Sequence, residues 1–304
     1  MSPKVSVVIP TYRRPVEYLS RAVHSVVNQT HGNREIIVVD DSPESYERRD
    51  EIQAFMQSIA SDRIIYLQNE RNLGGSLSRN RGIERASGEF ISFLDDDDEY
   101  LPTKIERQLA FMVEHDFDLT FTDMVMYGDA GNVVDCRDYR DIPSFDNGVL
   151  RKYHLMKHLT GTPTFMFKAD ALRGIGGFED VRMGQEFYLM LKAIERGLKI
   201  GYLPECGLKV YRHASGGISH GRNKIDGENN LYRFKKKYFP DLNRRERMFV
   251  RFRHYAVMVV AYRRNGSRFR AAGAAALAFA ASPYDFFKEV SGFGMQVMRR
   301  RIRR

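Results

Sequence analysis

Short apolar runs alternate with amphipathic stretches along the first hundred residues of the chain. Four runs rich in β-branched and aromatic side chains, at Val5–Ile9, Glu35–Val39, Ile64–Leu67 and Phe90–Leu94, predict buried strands. Apolar positions at helical spacing separate them, over residues 19–27, 45–60 and 75–86. Strands that alternate with helices at this spacing predict an α/β fold, in which helices cover both faces of a parallel sheet.

The pattern changes after residue 98. Pro102–His115 predicts a helix, and Asp118–Tyr127 predicts a strand that ends in a glycine-containing turn at residues 128–131. Further elements are predicted where the apolar pattern returns, as strands at Thr164–Lys168 and Leu208–Arg212 and as a helix over residues 187–198.

The positive charge of the chain is concentrated at its C-terminal end. The 304 residues carry a formal net charge of +9, yet residues 243–304 alone carry fifteen Lys and Arg side chains against three carboxylates. This segment is therefore +12, and residues 1–242 are −3. Because the segment is helical in pattern and has no strand signal, we expect a globular domain over 1–242 and a basic helical extension over 243–304.

The composition excludes several classes of protein. With two cysteines, Cys136 and Cys206, the chain is neither a disulfide scaffold nor a Cys-rich zinc module. A hydrophobic share of 43% excludes wholesale disorder. No apolar run approaches the roughly 18–20 residues that a membrane-spanning helix needs, and the first residues show no signal-peptide pattern. We therefore expect a cytoplasmic location.

Polar side chains follow three of the predicted strands. Pro10, Thr11, Tyr12 and Arg13 follow the first strand, Asp40 and Asp41 the second, and Asp95–Asp98 the fourth. Because ligands of open parallel sheets bind beyond the carboxyl ends of the strands, we expect these segments to meet at one edge. No Gly-x-Gly-x-x-Gly follows the first strand and no Gly-Lys-Ser/Thr loop occurs, which disfavours dinucleotide redox chemistry and P-loop phosphate binding.

The four consecutive aspartates favour a metal site. Neighbouring carboxylates repel one another, whereas Mg²⁺ or Mn²⁺ prefers carboxylate oxygens and can share them with a substrate diphosphate. A solvated acidic turn is the alternative interpretation, but the run directly follows a buried strand. For Asp40 and Asp41 taken alone, an Asx turn or a helix cap is favoured, and Tyr12 alone could equally be a packing aromatic.

Four segments occur together in an order that is typical of one enzyme family. They are Val5–Arg13, Ile36–Ser42, Asn72–Gly82 and Gly88–Asp98. Together they resemble the motifs of family 2 glycosyltransferases with the GT-A fold, and the likeness covers roughly residues 4–215. The resemblance implies a Rossmann-like, mixed and mostly parallel sheet flanked by helices. It also implies a nucleotide-sugar half at about 1–100 and an acceptor half at about 101–242.

The resemblance implies roles for the residues at the predicted sheet edge. Pro10, Thr11, Tyr12 and Asp40 would hold the nucleotide base, with Arg13 and Asp41 beside them, and Arg79 would lie near the diphosphate. The Asp-x-Asp motif corresponds to Asp95-Asp96-Asp97. Asp97 would ligate the metal directly, while Asp95 and Asp96 would contact ribose, diphosphate or the metal's water. Because there are four aspartates, the register is ambiguous by one position, and Asp95 is a second candidate metal ligand.

The catalytic carboxylate of this family usually follows a Gly-Gly-Phe segment. Here Gly176–Asp180 is followed by Gln185-Glu186, which stands where Glu-Asp is common, so the resemblance implies that Glu186 is the base. The alternative is that Glu186 only caps its helix, because the helix dipole favours a carboxylate there. His213 falls where relatives carry a loop that closes over the donor phosphates; it could touch phosphate or metal, or simply pack.

The expected reaction is the inverting, metal-dependent transfer of a sugar in polysaccharide biosynthesis, of the hexosyltransferase type. The resemblance implies a nucleotide-sugar donor, first of all a UDP-sugar, an acceptor hydroxyl on a cell-surface glycan or a lipid-linked acceptor, and Mn²⁺ or Mg²⁺ as cofactor. A transferase that makes glycolipids from a simple lipid is an alternative within the enzyme class. A basic nucleic-acid-binding protein is an alternative from another class, but it leaves Asp95–Asp98 unexplained, and we expect no nucleic-acid partner.

The basic extension predicts contact with a membrane surface. Six apolar side chains are mixed with arginines in its first part, namely Met248, Phe249, Phe252, Val257, Val259 and Val260. A second segment, Pro283–Met298, ends in the cluster Arg299–Arg304. Such helices can lie in a membrane interface with their arginines at anionic headgroups. We therefore expect peripheral association with the inner face of the cell membrane. The alternative is that these helices cover the domain's own apolar surface.

Overall fold

The computed structural model describes residues 2–159, 161–212 and 221–290. The strands in these residues are β1 (Val5–Thr11), β2 (Arg34–Asp40), β3 (Ile64–Gln68), β4 (Phe90–Phe93), β5 (Glu99–Tyr100), β6 (Leu119–Gly128), β7 (Val133–Arg137), β8 (Met166–Lys168) and β9 (Ile200–Arg212). The helices are α1 (Val16–Val27), α2 (Arg49–Ser58), α3 (Gly75–Arg85), α4 (Lys104–His115), α5 (Asn147–Lys157), α6 (Ala169–Gly174), α7 (Gln185–Glu195), α8 (Gly221–Lys235), α9 (Arg244–Arg264) and α10 (Arg268–Ala281). Residues 283–290 are helical as well.

The nine strands of the described residues form one mixed sheet in the order β3-β2-β1-β4-β8-β6-β9-β5, with β7 paired to β6. The half that contains β1 to β4 is parallel throughout. The antiparallel pairs involve the later strands, although β6 and β9 run parallel to each other. The predicted α/β class, with its flanking helices and C-terminal helices, is therefore confirmed.

The core of the parallel half is built from the side chains that the periodicity indicated. Val5, Val7 and Ile9 of β1 have no exposed surface, and the stripe of α1 that begins at Leu19 and ends at Val26 is buried against them. A continuous β-branched run is buried on both faces of a parallel strand, which explains why strict alternation is absent from it.

Two later strands differ from their predicted limits. The strand expected from Leu208 begins at Ile200, and its pairing with β6 shifts register after Leu203, so that Pro204 and Glu205 fall outside the ladder. A proline has no amide to donate to a ladder, so Pro204 argued against a strand at this position. The sequence therefore did not predict the first half of β9. The strand expected from Thr164 begins at Met166, because Thr162–Thr164 forms a 3-10 turn.

The chain divides into two compact units. The described residues of the first are 2–151, 159 and 161–212, and those of the second are 152–158 and 221–290. In the second unit, Ile225 of α8, Met258 and Ala261 of α9 and Ala274 of α10 form a small apolar core. Residues 221–242, which the sequence analysis assigned to the first domain, group with this helical unit in the structure. The predicted limits of the glycosyltransferase domain itself, 1–242, stay a prediction.

None of the helices in the described part of the chain is both long and apolar enough to cross a membrane.

Candidate active site

The carboxyl ends of three strands meet at one edge of the sheet. β1 pairs with β2 so that Thr11 lies opposite Asp40, and β4 pairs with the other side of β1. The Thr11 hydroxyl donates a hydrogen bond of 2.7 Å to Asp96, which follows β4. The Asp41 amide donates to the Thr11 carbonyl at 2.8 Å. The three polar segments therefore converge, as their positions after parallel strands led us to expect.

Two arginines supply counter-charges to Asp95–Asp98, the acidic run that follows β4. The Nε atom of Arg14 donates to Asp96 at 3.0 Å, and its Nη2 atom lies 2.9 Å from an oxygen of Asp97. The Nη2 atom of Arg79, a buried residue of α3, donates to Asp95. The repulsion among these neighbouring carboxylates is thus offset by two guanidinium groups.

The four carboxylates alternate in their access to solvent. The side chains of Asp95 and Asp97 are 37% and 18% exposed, whereas Asp96 and Asp98 are buried. Asp98 accepts a hydrogen bond of 3.0 Å from the backbone amide of Tyr211 near the end of β9. The two carboxylates that solvent reaches are therefore the pair separated by one residue, Asp95 and Asp97.

Burial changes the titration of the two inner carboxyl groups. It raises the pKa of Asp96 to about 6, although the Arg14 guanidinium opposes the rise. Burial, together with the negative charges of Asp95 and Asp97, raises the pKa of Asp98 above its ordinary range. Both buried groups therefore take up a proton more readily than an ordinary aspartate, which lessens the charge that the run has to accommodate.

Asp95 and Asp97 fit a divalent cation that takes its remaining ligands from a substrate. Mg²⁺ and Mn²⁺ favour hard oxygen ligands, and Mg²⁺ is usually bound through one or two carboxylates plus substrate phosphates. Within residues 2–159, 161–212 and 221–290, no group of three or more His, Cys, Asp or Glu side chains is placed to hold a metal. Two accessible carboxylates match the one or two through which Mg²⁺ is usually bound beside substrate phosphates.

Arg79 also links the acidic run to the beginning of α7. Its Nη1 atom donates to the Gln185 side-chain carbonyl at 2.7 Å, while Nη2 of the same guanidinium binds Asp95. Gly184 precedes the helix with a φ of +78°, a left-handed conformation that glycine adopts without strain. Glu186 follows Gln185 in the first turn and is half-buried. The structure therefore brings Arg79, Asp95 and the helix end that carries Glu186 into one network.

Asp40 and Asp41 are buried and make hydrogen bonds within the fold. Asp40 accepts from the Tyr66 hydroxyl at 2.7 Å and from the Ser42 amide at 2.9 Å, and the second contact is an Asx turn. Asp41 accepts from the Leu73 amide at 2.7 Å and from the Gly74 amide at 2.8 Å. It thus fixes the loop that leads into α3. The nucleotide-binding role of both aspartates stays a prediction.

The segment after β1 presents an aromatic ring at the same edge. Tyr12 is 42% exposed, and the Arg13 guanidinium lies 5.5 Å from the centre of its ring. Arg13 has a φ of +47°, and its amide donates to the Ser42 hydroxyl at 2.9 Å. Pro10 is part of β1 and is half-buried. Tyr12 is thus an exposed ring that follows Thr11 at the sheet edge.

One predicted site residue, His213, lies outside the described residues. Two arginines that contact Asp95–Asp98 were not predicted. Arg14, which bridges Asp96 and Asp97, was not among the predicted site residues, since its sequence signal is only its position after Arg13. Arg21 of α1 was missed as well; its Nη2 atom donates to the Asp97 carbonyl, and its guanidinium lies 4.1 Å from the ring centre of Tyr211.

A family comparison agrees with this geometry. The model of "Glycosyl transferase family 2" matches residues 6–173, which include β1 from Ser6 onward and all of Asp95–Asp98. The chain belongs to glycosyl transferase family 2. The matched region includes the predicted nucleotide and metal residues from Pro10 to Asp97, and it ends before Glu186.

Relatives of this family 2 protein are named as glycosyltransferases. It is 32% identical to the "Uncharacterized glycosyltransferase MJ1057" of Methanocaldococcus jannaschii, over 68% of this chain and 70% of that protein. It is 30% identical to the "Putative teichuronic acid biosynthesis glycosyltransferase TuaG" of Bacillus subtilis, over 73% of this chain and 84% of that protein. We conclude that this family 2 protein is a glycosyltransferase.

The fold is shared with a solved glycosyltransferase structure. Residues 1–349 of S. aureus TarS, in a crystal structure described as a complex with UDP-GlcNAc, superpose with a TM-score of 0.65 at 19% identity. The match covers 93% of this chain and 82% of that one. At this identity the likeness establishes the GT-A fold of the family 2 protein.

Proposed function

We propose that this glycosyltransferase moves a sugar from a UDP-sugar to a hydroxyl of a lipid-linked or growing cell-surface glycan, with inversion at the anomeric carbon. The observation that carries the proposal is the contact network of Asp95, Arg79 and Gln185, which joins the acidic run to the helix end that bears Glu186. A departing diphosphate needs positive charge nearby, and an attacking hydroxyl needs a base. The network holds candidates for both.

The choice of donor and acceptor follows the relatives. TarS, which shares the fold, is described in complex with UDP-GlcNAc, and TuaG is named for the biosynthesis of teichuronic acid. UDP is therefore the proposed nucleotide and a cell-surface glycan the proposed acceptor. Pro10, Thr11, Tyr12, Arg13, Asp40 and Asp41 are the proposed contacts for the nucleotide.

Glu186 is the proposed general base. It lies in the first turn of α7, where the helix dipole favours its ionised form. Its carboxylate would accept the proton of the acceptor hydroxyl while that oxygen bonds to the anomeric carbon. The bond from this carbon to the nucleoside diphosphate breaks on the opposite side, and the electron pair leaves with the diphosphate. A single displacement of this kind inverts the configuration.

Asp97 is the proposed ligand of Mn²⁺ or Mg²⁺, with Asp95 beside it. A cation bound there would neutralise negative charge on the leaving diphosphate. Arg79 holds a fixed guanidinium at Asp95 and would contribute positive charge to the same phosphates. Asp96, which binds Thr11 and Arg14, would keep the two accessible carboxylates in place.

Glu186→Gln tests the proposed base. Glutamine keeps the shape of the side chain but cannot take the proton, so we expect sugar transfer to fall by about 10²–10⁴-fold. The KM for the donor should change little, because donor binding does not depend on this proton. The control is Glu179→Gln, which removes an exposed carboxylate that pairs with Lys192 at 2.7 Å and should leave transfer near the wild-type rate. Equal rates for Glu186→Gln and the control would make Glu186 a helix cap.

Asp97→Ala tests the proposed metal ligand. In the wild type, UDP with Mn²⁺ should raise the thermal unfolding midpoint more than UDP alone, because a ligand that binds only the folded state stabilises it. We expect Asp97→Ala to lose the Mn²⁺-dependent part of this rise and to lose sugar transfer. Full wild-type activity in EDTA, or an active Asp97→Ala variant, would contradict the metal assignment and leave the base assignment to its own test.

A further inference from the structure

Helix α10 of the second unit is apolar on two opposite faces. Ala271–Ala281 contains no charged residue. One face of the helix buries small side chains against the rest of the unit, among them Ala274 and Ala278. Phe269, on the opposite side of the helix, exposes 96% of its surface, and Leu277, at the flank of the buried alanines, exposes 50%. A surface helix ordinarily presents polar side chains on the face away from its core, so this face lacks the usual composition.

The exposed apolar surface continues into residues 283–290. Tyr284, Phe287 and Val290 are 64%, 62% and 56% exposed. The rings of Phe287 and Phe279 have centres 5.8 Å apart, so these aromatic side chains of the two helices contact each other. We call the exposed apolar side chains of α10 and of residues 283–290 the α10 surface. Large exposed apolar patches on a protein mark interaction sites.

A basic cleft borders the α10 surface. Its volume is about 350 Å³, and its lining is Arg244, Arg247, Met248 and Arg251 of α9 with Ala280 and Ala281 of α10. The three arginines follow helical spacing and so lie on one face of α9. Ala280 lines the cleft and is exposed on α10, the helix that also carries Phe269 and Leu277.

The arginines of the cleft have no carboxylate partner in the part of the chain that the structure describes. Arg247 donates to the Asn243 carbonyl at 3.4 Å, and the Arg251 guanidinium lies 5.6 Å from the ring centre of Phe239. Guanidinium groups bind phosphate oxygens through paired hydrogen bonds. The cleft therefore has the charge and the donors that a phosphodiester needs.

We propose that the α10 surface and the basic cleft together bind an anionic phospholipid bilayer. Phe269, Leu277 and Phe287 enter the interface, and the three arginines of the cleft bind headgroup phosphates. Exposed Phe and Leu next to Arg is the composition of helices that lie in such an interface. The binding itself does not depend on the proposed function. Only its biological purpose rests on that function, because a lipid-linked acceptor is presented at a bilayer.

Charge decides between a bilayer and a second copy of the chain. Residues 243–290 carry ten Lys and Arg side chains against three carboxylates. Two copies that meet through this surface would place like charges together, whereas an anionic bilayer supplies the opposite charge. The bilayer is therefore the occupant that the surface favours.

The exposed apolar side chains coincide only in part with the segments named in the sequence analysis. Of the expected apolar residues of α9, Phe252 is buried, Met248, Phe249, Val257 and Val259 are half-buried, and Val260 is exposed at 49%. The other exposed apolar side chains lie on residues 283–290, which belong to the expected second segment, and on α10, which was not expected. Because residues 271–281 of α10 carry no charge, the sequence of this helix is typical of a buried helix. It therefore did not indicate that one side of the helix is exposed.

Vesicle flotation of the full chain tests the proposal. The probes are vesicles of phosphatidylcholine alone and of phosphatidylcholine mixed with phosphatidylglycerol, each at low and at high salt. We expect the wild type to float with the anionic vesicles at low salt, to float at least about tenfold less at high salt because exposed charges are then screened, and not to float with the neutral vesicles.

Two variants separate the apolar surface from the cleft. Leu277→Glu with Phe287→Glu places charge on the α10 surface and should abolish flotation. Arg244→Gln, Arg247→Gln and Arg251→Gln together should lower it at least about tenfold, since each phosphate contact contributes to affinity. The matched controls are Val113→Glu, at a 55% exposed position of α4, and the triple replacement of the exposed Arg63, Arg85 and Arg196 by Gln. Both controls should float like the wild type.

Several results would overturn the proposal. One is a wild type that does not float with anionic vesicles at low salt. Another is an equal loss in the control triple variant, which would show that the protein binds the vesicles through its net charge and not through the cleft. A third is a dimeric wild type that Leu277→Glu with Phe287→Glu converts to a monomer, which would make a second copy the occupant. Circular dichroism of each variant verifies folding, and hydrolysis of a UDP-sugar in solution tests the proposed function separately, because flotation does not depend on it.

Discussion

Lys235 is an amine buried in the second unit, and burial lowers its pKa to about 7. Its Nζ atom contacts Nε2 of His158, and burial also lowers the pKa of that histidine well below its ordinary value. Two positive charges in contact inside the protein would repel strongly, so the packed state favours the neutral forms. His154 and His158 have the spacing of a metal-binding pair, but the lysine lies against His158.

Lys235→Met should stabilise the protein most at neutral pH. Between about pH 7 and the ordinary value of 10.5, the folded state binds fewer protons at this amine than the unfolded state does. The free energy of unfolding of the wild type therefore decreases as the pH falls through this interval, and methionine removes that dependence. We expect a gain of about 1–3 kcal/mol at pH 7, because keeping this amine neutral in the folded state costs about 1.4 kcal/mol for each unit by which its pKa is lowered, and the loss of the contact with His158 offsets part of that gain.

Thermal unfolding at about pH 7 and about pH 10 measures this effect, with the larger gain expected at the lower pH. Lys237→Met, at an exposed neighbouring position, is the control and should change the unfolding midpoint little at either pH. A gain for Lys235→Met that is the same at both values would show that packing, not the proton, is responsible.

At the scale of elements, Gly82 determines how closely α3 lies against β1. A Cβ atom at this position would be 2.3 Å from the Cγ1 atom of Val8, which has no exposed surface. Arg79 lies one turn earlier on the same helix and makes the contacts to Asp95 and Gln185. The close approach of α3 therefore positions a side chain of the candidate active site.

Gly82→Ala should destabilise the protein, although alanine is ordinarily the better helix former by about 0.5–1 kcal/mol. The added methyl group has to push α3 away from β1, which is expected to cost about 1–3 kcal/mol. It should also raise the KM for the donor, because Arg79 moves with the helix. Thermal unfolding and donor kinetics measure the two effects.

The same substitution in α10 is the control for Gly82→Ala. Gly273 has open space around its Cα, so Gly273→Ala should stabilise the protein by up to about 1 kcal/mol. Val8→Ala supplies a second control: if the methyl contact is the cause, Gly82→Ala should cost less in the Val8→Ala background than alone. Equal costs in both backgrounds would refute the close-approach explanation.

Elements whose burial depends on their own periodicity were predictable from sequence, and elements that depend on a distant partner were not. The stripe of α1 and the run of β1 carry their own signal. β5 has only the residues Glu99 and Tyr100, which are ordered as a strand through pairing with Lys209 and Leu208 of β9. α8 is largely polar, and its apolar side chain Ile225 is buried by helices that come later in the chain.

At the scale of the whole molecule, the convergence of strand ends was predictable because parallel topology alone requires it. The contacts between side chains within the candidate active site could not be predicted. Arg14 reaches Asp96 and Asp97 after the left-handed turn at Arg13, whose φ of +47° no sequence pattern indicated. The link from Arg79 to Gln185 joins positions 106 residues apart and depends on the packing of α3 and α7.

The division into two units also changes how the basic extension can be tested. Removing residues 243–304 would delete α9 and α10, and Ile225 of α8 would then lose Met258, Ala261 and Ala274 as its core partners. A loss of vesicle binding in such a truncation could result from unfolding of α8. Point substitutions at exposed side chains avoid this ambiguity.

The interleaving of the two units has a consequence for the protein while it is being synthesised. Residues 152–158 leave the ribosome before residues 159–212 of the first unit, but their partners in the second unit come later still. Lys235 follows His158 by 77 residues, which at about 5–20 residues per second takes roughly 4–15 s of translation. During that interval the nascent chain can complete the parallel half of its sheet, while residues 152–158 lack the helices that will bury them. A pause in translation between residues 158 and 235 would therefore lengthen the time for which this segment is open to chaperones and proteases.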